Sequence, residues 1–234
     1  AGFITTTGDL FEVVVENGYA WMAGGSAGLL AVSLADPSAP ALVATYLGSG
    51  TVRGVARSGS VAYAAMGSTG IAVLDVTDPG AAVLLGTCNT GGMASDVEVV
   101  GARAFVSAGT GGIAIVDVAD PTACSVLGAL PAPAPGDLAD RIAISGSILV
   151  ATLGASGLLV ADVSDPSDPA LESVAALPGT ASDVFLEGDV AFVAAGEAGL
   201  VVVDLSSPSH PEVASVLDTP DFAGGVWVAR RDLP

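Results

Sequence analysis

Short apolar runs separated by turn residues cover most of the chain. Each run is about five to seven residues long and is bounded by Gly, Pro, Ser, Asn or Asp. Runs such as LVVVDL at 200–205 and IAIVDV at 113–118 are almost continuously apolar, which is typical of strands buried on both faces. No segment has a convincing helical periodicity. The pattern therefore predicts an all-β protein built from many short strands.

The apolar runs recur as a unit of constant length. GIAVLDVTDP at 70–79 returns as GIAIVDVADP at 112–121, and related segments begin at Gly28, Gly157 and Gly199. The leading glycines are 42, 42, 45 and 42 residues apart, and each unit contains four apolar runs. Four short antiparallel strands in a unit of this length predict the blade of a β-propeller. A β-solenoid is the weaker alternative because its repeats are usually shorter.

The repeat frame predicts one β-propeller domain over residues 1–234. Its five complete repeats span 11–52, 53–94, 95–139, 140–181 and 182–223. Residues 1–7 align with a fourth strand and residues 224–230 with a first strand. These ends either pack on a five-bladed ring or belong to a longer array. The missing second and third strands of a sixth unit favour a piece of a longer array.

An acid near the end of the third strand and a proline four residues later recur along the chain. An ionised carboxylate at this position needs partners, and backbone N–H groups of the adjacent turn can supply them. We therefore predict a structural role for these residues, which are Asp75, Asp117, Asp162 and Asp204 together with Pro37, Pro79, Pro121, Pro166 and Pro208.

A ring of cation sites is the functional alternative for the recurring acids. Asp162, Asp165 and Asp168 form the densest acid spacing, but they fit no standard calcium loop. We predict no metal site and no cofactor, with calcium as the alternative.

The segment GIAIVDVADP, preceded by ARAFVSAGTG, resembles the LVIVD repeat. The resemblance extends from about residue 11 to 230, although Ser33 and Ser207 replace the acids of the motif in two copies. It implies a β-propeller of the kind found in bacterial and archaeal surface or secreted proteins. An extracellular or cell-surface location and a protein or cell-surface partner are therefore expected. The family is defined by its scaffold, so the resemblance implies no particular activity.

The charge balance narrows the range of partners. The chain has 25 acidic residues against six basic ones, all of them Arg, and a formal net charge of −19. Such a chain repels nucleic acid and anionic lipid, so we expect neither as a partner. The uncharged run at 142–161 is long enough to span a bilayer, but SGS and GASG break it into strand-sized pieces, so we expect no membrane insertion. Salt adaptation and a GC-rich genome both explain this composition.

Catalytic chemistry has little support in the sequence. The single histidine, His210, lies in an exposed Pro turn without a neighbouring acid–base partner, and no nucleophile-elbow motif occurs. We therefore predict no catalytic residue and a non-enzymatic scaffold. The alternative is a hydrolase of the lactonase type with a divalent cation in the central channel of the propeller.

The candidate contact surface lies where the first strands begin. These positions are expected to surround one mouth of the propeller, and the Pro-rich insertion ALPAPAPGDLAD at 129–140 lies beside them. Loops on a rigid scaffold commonly carry recognition. The predicted binding residues are Arg53, Asp96, Pro133, Asp140, Arg141 and Asp183.

The two cysteines, Cys88 and Cys124, match no metal-binding spacing. A disulfide is possible in an oxidising compartment. The repeat register puts them at opposite ends of equivalent strands, which favours two buried thiols.

Overall fold

The structure is a computed structural model, which describes residues 3–6, 8–46 and 50–228. In it, each repeat of the sequence forms a group of four strands. Each of the five sheets is antiparallel and contains four strands that are consecutive in the sequence. The described residues include no helix, and hence none that could cross a membrane. The prediction of an all-β fold with four strands per repeat is confirmed. Packing divides the chain into two compact units, residues 1–129 and 130–234.

The first unit contains three sheets. Each runs in sequence order from its first to its fourth strand, and the boundary between the units falls at the end of β12. The strands are β1 (Glu12–Glu16), β2 (Tyr19–Ala23), β3 (Leu29–Ser33), β4 (Ala41–Tyr46), β5 (Gly54–Ser58), β6 (Val61–Ala65), β7 (Ile71–Asp75), β8 (Val83–Cys88), β9 (Asp96–Val100), β10 (Arg103–Ser107), β11 (Ile113–Asp117) and β12 (Ser125–Leu130).

The second unit contains the fourth and fifth sheets, which have the same strand order. Their strands are β13 (Ile142–Ser145), β14 (Ile148–Thr152), β15 (Leu158–Asp162), β16 (Ala170–Ala175), β17 (Asp183–Glu187), β18 (Val190–Ala194), β19 (Leu200–Asp204) and β20 (Glu212–Leu217).

Successive sheets within a unit pack through apolar faces. The first four residues of β7, β11 and β15 are all buried, because both faces of these third strands carry apolar side chains. One core cluster joins the first sheet to the second, another joins the second to the third, and a further one joins the fourth to the fifth. The second strands contribute small residues such as Ala62 and Ala64, which let the sheets approach closely.

A register shift recurs in the outer strands. In four of the sheets, one residue of the fourth strand has no pairing partner on the third strand. These unpaired residues are Val43, Leu85, Glu172 and Ala214. Such β-bulges twist an exposed edge away from regular pairing. The bulges therefore protect these edges, which carry exposed apolar residues such as Leu42 and Val213, against strand addition.

The leading glycines Gly157 and Gly199 permit a close backbone approach. Gly157 has φ +98, and a Cβ built there would lie 2.1 Å from the carbonyl oxygen of Ala175 at the end of β16. A Cβ built at Gly199 would lie 2.3 Å from the carbonyl oxygen of Leu217. These two motifs begin with Gly because both the backbone conformation and the neighbouring strand exclude a side chain.

The acids after the third strands hold the turns that follow them. Asp117 Oδ1 accepts a hydrogen bond from the Ala119 N–H at 2.9 Å, and Asp120 Oδ1 accepts one from the Thr122 N–H at 2.9 Å. The same pattern recurs at Asp75, Asp162 and Asp204. Hydrogen bonds from Thr77 and Ser206 lower the pKa of Asp75 and Asp204, respectively.

The expectation of two free thiols is wrong. Cys88, at the end of β8, forms a disulfide with Cys124, which precedes β12, and their Cα atoms are 6.0 Å apart. When the repeats are aligned, Cys88 falls at the end of a fourth strand and Cys124 falls just before the start of one. However, they belong to neighbouring sheets of the first unit, and the packing of these sheets brings the end of one outer strand to the start of the next.

The chain ends follow the repeat only in part. Residues 3–6 and 224–228 contain no assigned strand, and residues 1, 2, 7, 229 and 230 of the expected end strands lie outside the described residues. Ala223 nevertheless pairs with Gly196 in an isolated bridge, as Val52 pairs with Gly25. The segment thus approaches the fifth sheet as the start of β5 approaches the first sheet.

Candidate functional site

Acids that begin two of the first strands accept a hydrogen bond from the chain segment that follows their own sheet. Glu12 Oε2 accepts a hydrogen bond from the Val55 N–H at 2.8 Å, and Asp183 Oδ2 accepts one from the Val226 N–H at 2.9 Å. In both pairs the donor lies 43 residues after the acceptor. Asp183 Oδ1 also accepts a hydrogen bond from the Val184 N–H. The Asp183 carboxylate, a predicted binding group, is therefore engaged in contacts within the second unit.

Gly54 brings two first strands of the first unit together. A Cβ at Gly54 would lie 2.7 Å from Asp96 Cα and 2.9 Å from the Ser95 carbonyl oxygen. Asp96 is only 5% exposed, and its Oδ1 accepts a hydrogen bond from the Val97 N–H at 2.8 Å. Asp96 is thus a buried acid held against the neighbouring strand.

Glu98 lies two residues after Asp96 in β9, on the same face of the strand. Water reaches its side chain, yet the surrounding protein desolvates it. This desolvation and the nearby Asp96 carboxylate raise the pKa of Glu98 to about 7. The sequence pattern did not single out Glu98.

Arg53, another predicted binding residue, stacks on an aromatic ring. Its guanidinium carbon lies 5.4 Å from the ring centroid of Phe11, a cation–π geometry. Its backbone N–H donates to the carbonyl oxygen of Ala65 at 2.9 Å. Arg53 is half-buried, so part of the side chain remains accessible to solvent.

The Pro-rich insertion in the second unit is held by a buried acid. Asp137, 9% exposed, accepts hydrogen bonds from the Ala134 N–H at 3.0 Å and from the Ser156 hydroxyl at 2.6 Å. Pro133 lies inside this loop and is half-buried, whereas Leu138 is 54% exposed. The insertion is therefore anchored to the fourth sheet and presents an apolar side chain.

Asp140 and Arg141 connect the insertion to β13. The Asp140 N–H donates to the Thr152 carbonyl oxygen at 3.1 Å, and the Arg141 N–H donates to the Thr152 hydroxyl at 3.0 Å. Thr152 is fully buried. The backbone of both predicted binding residues is thus fixed to the fourth sheet.

The structure divides the predicted binding residues between the two units. Arg53 and Asp96 lie in the first unit, and the other four lie in the second. Sequence reasoning missed Glu98, Asp137 and Arg57. The repeat alignment contained a signal for Arg57, since the other repeats have an apolar residue at its position.

The described part of the chain contains no group of three or more His, Cys, Asp or Glu residues that could hold a metal ion. His210 is exposed and lies 3.0 Å from the Ser209 hydroxyl through Nδ1.

Comparisons with solved structures concern the fold alone, because the structures described below are only 10–12% identical to this chain. The computationally designed Ika8 protein matches with a TM-score of 0.71 at 10% identity, covering 92% of this chain and 63% of its own. A functionally unknown protein from Desulfotomaculum acetoxidans matches with a TM-score of 0.72 at 10% identity, and the match covers 92% of this chain and 72% of that protein. The β-propeller domain of Myceliophteria thermophila Cps50 (Swd1) matches with a TM-score of 0.68 at 12% identity, and the match covers 92% of this chain and 74% of that domain.

The family comparison covers most of the chain, whereas no curated protein matches it. The model of the LVIVD repeat matches residues 7–48, 49–90, 91–129, 136–175 and 178–219. These matches and the propeller neighbours agree with the five four-stranded sheets. The chain is therefore a β-propeller repeat protein that belongs to the LVIVD repeat family.

Proposed function

We propose that this protein is a non-enzymatic scaffold that binds a protein partner through residues 131–138, the part of the Pro-rich insertion (129–140) that follows β12. The supporting observation is that hydrogen bonds fix the backbone of the insertion, while one of its apolar side chains remains exposed to solvent. Asp137 holds the loop through two hydrogen bonds, while Leu138 remains 54% exposed. A preorganised loop loses little conformational entropy on binding, and an exposed aliphatic side chain can fill a pocket on a partner.

An extracellular or cell-surface location is part of the proposal. The disulfide between Cys88 and Cys124 supports it, because disulfides persist mainly in oxidising compartments. The acidic composition, with a net charge of −19, favours a partner whose contact surface is neutral or basic. Arg53, Asp96, Asp140, Arg141 and Asp183 stay candidate contact residues, and no cofactor is part of the proposal.

The test compares variants of the loop. In one variant, residues 131–136 are replaced by Gly and Ser, and in another Leu138→Ser removes only the apolar side chain. Asp137→Ala keeps Leu138 but removes both anchoring hydrogen bonds. Pro220→Ser, at an exposed proline of the corresponding segment after the fifth sheet, is the matched control.

Proteins exposed on the surface of the source cells are captured on each variant, and those captured are then titrated as purified proteins. We expect a partner that binds the wild type and Pro220→Ser equally. Leu138→Ser should weaken its binding about tenfold or more, and Asp137→Ala should weaken it less. A set of partners that binds both Leu138→Ser and the Gly/Ser loop variant as tightly as the wild type would refute the proposal.

A further inference from the structure

Arg57 is a charged residue in an apolar position of the repeat. The corresponding residues of the other repeats are Val15, Val99, Ile144 and Leu186. In the sheet, Arg57 pairs with Ala62, which pairs with Leu74, and both are fully buried in the core between the first and second sheets. The Arg57 side chain is only 7% exposed. A charge in this interface needs compensating contacts.

The compensation at Arg57 is incomplete. Its Nη1 lies 3.0 Å from Glu16 Oε2, its Nη2 donates to the Gly59 carbonyl oxygen, and its guanidinium carbon lies 5.1 Å from the centroid of the Trp21 ring. The Glu16 contact is an ion pair without hydrogen-bond geometry. Within the described residues, Arg57 Nε and Trp21 Nε1 are buried donors without an acceptor. Buried donors of this kind normally find a partner.

A cavity of about 350 Å³ opens beside Arg57, between the first and second sheets of the first unit. We call it the Arg57 cavity; its lining includes Asn17, Tyr19, Arg57, Val76, Thr77 and Pro79. Its volume lies at the lower end of the roughly 300–1,000 Å³ typical of ligand sites. The lining combines hydrogen-bonding groups with an aromatic ring and two aliphatic side chains. This combination suits a small ligand that is polar at its edge and apolar on its face.

Asn17 adds a side chain where the other repeats have none. It has φ +51, whereas the corresponding residues are glycines, Gly59, Gly101, Gly146 and Gly188, with φ between +57 and +62. Asn is among the few residues that tolerate this left-handed conformation. The first hairpin therefore keeps the turn of the repeat and places an amide, with both donor and acceptor atoms, at the cavity.

The charge of the site favours a neutral ligand. Glu16 already balances Arg57, and the chain as a whole has a net charge of −19, which disfavours an anion. The Thr77 hydroxyl donates to Asp75 Oδ1 at 2.6 Å, so its oxygen can accept a hydrogen bond from a ligand. A ring bearing several hydroxyl groups offers matching acceptors and donors.

We propose that the Arg57 cavity binds a single neutral sugar ring. Its hydroxyl oxygens accept hydrogen bonds from Arg57 and Asn17, and its apolar face packs against Tyr19 and Pro79. This site is separate from the insertion at 131–138, and it gives the protein a carbohydrate-binding function beyond the proposed protein contact.

Tryptophan fluorescence tests this proposal directly. The chain has two tryptophans, so Trp227→Phe leaves Trp21, stacked on Arg57, as the only reporter. In this background the protein is titrated separately with glucose, galactose and N-acetylglucosamine, and with sodium acetate as an anion. We expect saturable quenching by at least one sugar, with a Kd on the order of millimolar for a ligand of this size. Methyl glycosides of that sugar distinguish the end of a glycan from a free monosaccharide, because the methyl group blocks the anomeric hydroxyl.

Three variants locate the site. Arg57→Val introduces the residue that two other repeats have at this position, and Asn17→Gly introduces the glycine of the other four hairpins, so both should fold. Each should weaken sugar binding, Arg57→Val by about tenfold or more. Arg103→Val, at an exposed arginine, should not change it.

The proposal fails in three ways. Titrations in which no sugar produces saturable quenching would overturn it. Acetate that displaces the sugar would show an anion site instead. A sugar that binds Arg57→Val and Asn17→Gly as tightly as the Trp227→Phe protein would place the site elsewhere.

Discussion

Loss of the disulfide should cost the first unit a large share of its stability. Cys88 and Cys124 are 36 residues apart in the sequence. The loop-entropy relation for a cross-link of this length gives about 4 kcal/mol of stabilisation through restriction of the unfolded chain. Reduction removes the bond and keeps both sulfurs in place. The variant Cys88→Ala/Cys124→Ala also removes packing, since Cys88 is 5% exposed within the core between the second and third sheets.

The assay is urea unfolding of the Trp227→Phe protein, in which Trp21 is the only tryptophan and reports on the first unit. We compare oxidised protein, reduced protein and the double alanine variant. With an m-value of about 2–3 kcal/mol/M, the urea midpoint of the reduced protein should fall by about 1.3–2 M. The urea midpoint of the double alanine variant should fall at least as far, because this variant also loses buried contacts.

Two results would refute this reasoning. The oxidised protein, unfolded without reductant, should contain no free thiol, and two reactive thiols would mean that the cysteines are not paired. If the thiols are paired but reduction leaves the midpoint unchanged, the bond does not restrict the unfolded chain as the entropy argument requires.

Further substitutions test the close backbone approach at Gly157 and the raised pKa of Glu98. Gly157→Ala should destabilise the second unit by about 3 kcal/mol or more, because it adds a clash to backbone strain. Gly146→Ala, at φ +62 with no atom within 4 Å of the new Cβ, should cost only about 1–2 kcal/mol; equal losses in urea unfolding would contradict the clash. The raised pKa of Glu98 means that its contribution to stability is complete below its ordinary pKa of 4.5 and is lost as the pH rises through about 7. Glu98→Gln should therefore be most stable relative to the wild type at alkaline pH, and parallel stability–pH curves would show that Glu98 titrates normally.

Part of the candidate site followed from the repeat and part did not. The insertion at 131–138 was visible because it lengthens one interval between repeats. The anchoring role of Asp137 was not visible, since its partner Ser156 lies 19 residues away, beyond a β-hairpin turn. Asp183 was selected as an acid at a strand start, but its bond to the Val226 N–H depends on how the next segment is placed. Local pattern identifies a polar group, whereas its partner depends on tertiary packing.

The sequence alone determined the strands, their grouping by fours and the glycine that begins each motif. These features are repeated in every unit, and they follow from side-chain hydrophobicity and backbone sterics within about 40 residues. Tertiary structure alone decided that Cys88 meets Cys124 and that Arg57 lies on Trp21 beside a cavity. Those contacts join neighbouring sheets, and their geometry is set by how two apolar faces pack together, which the pattern of a single repeat does not encode.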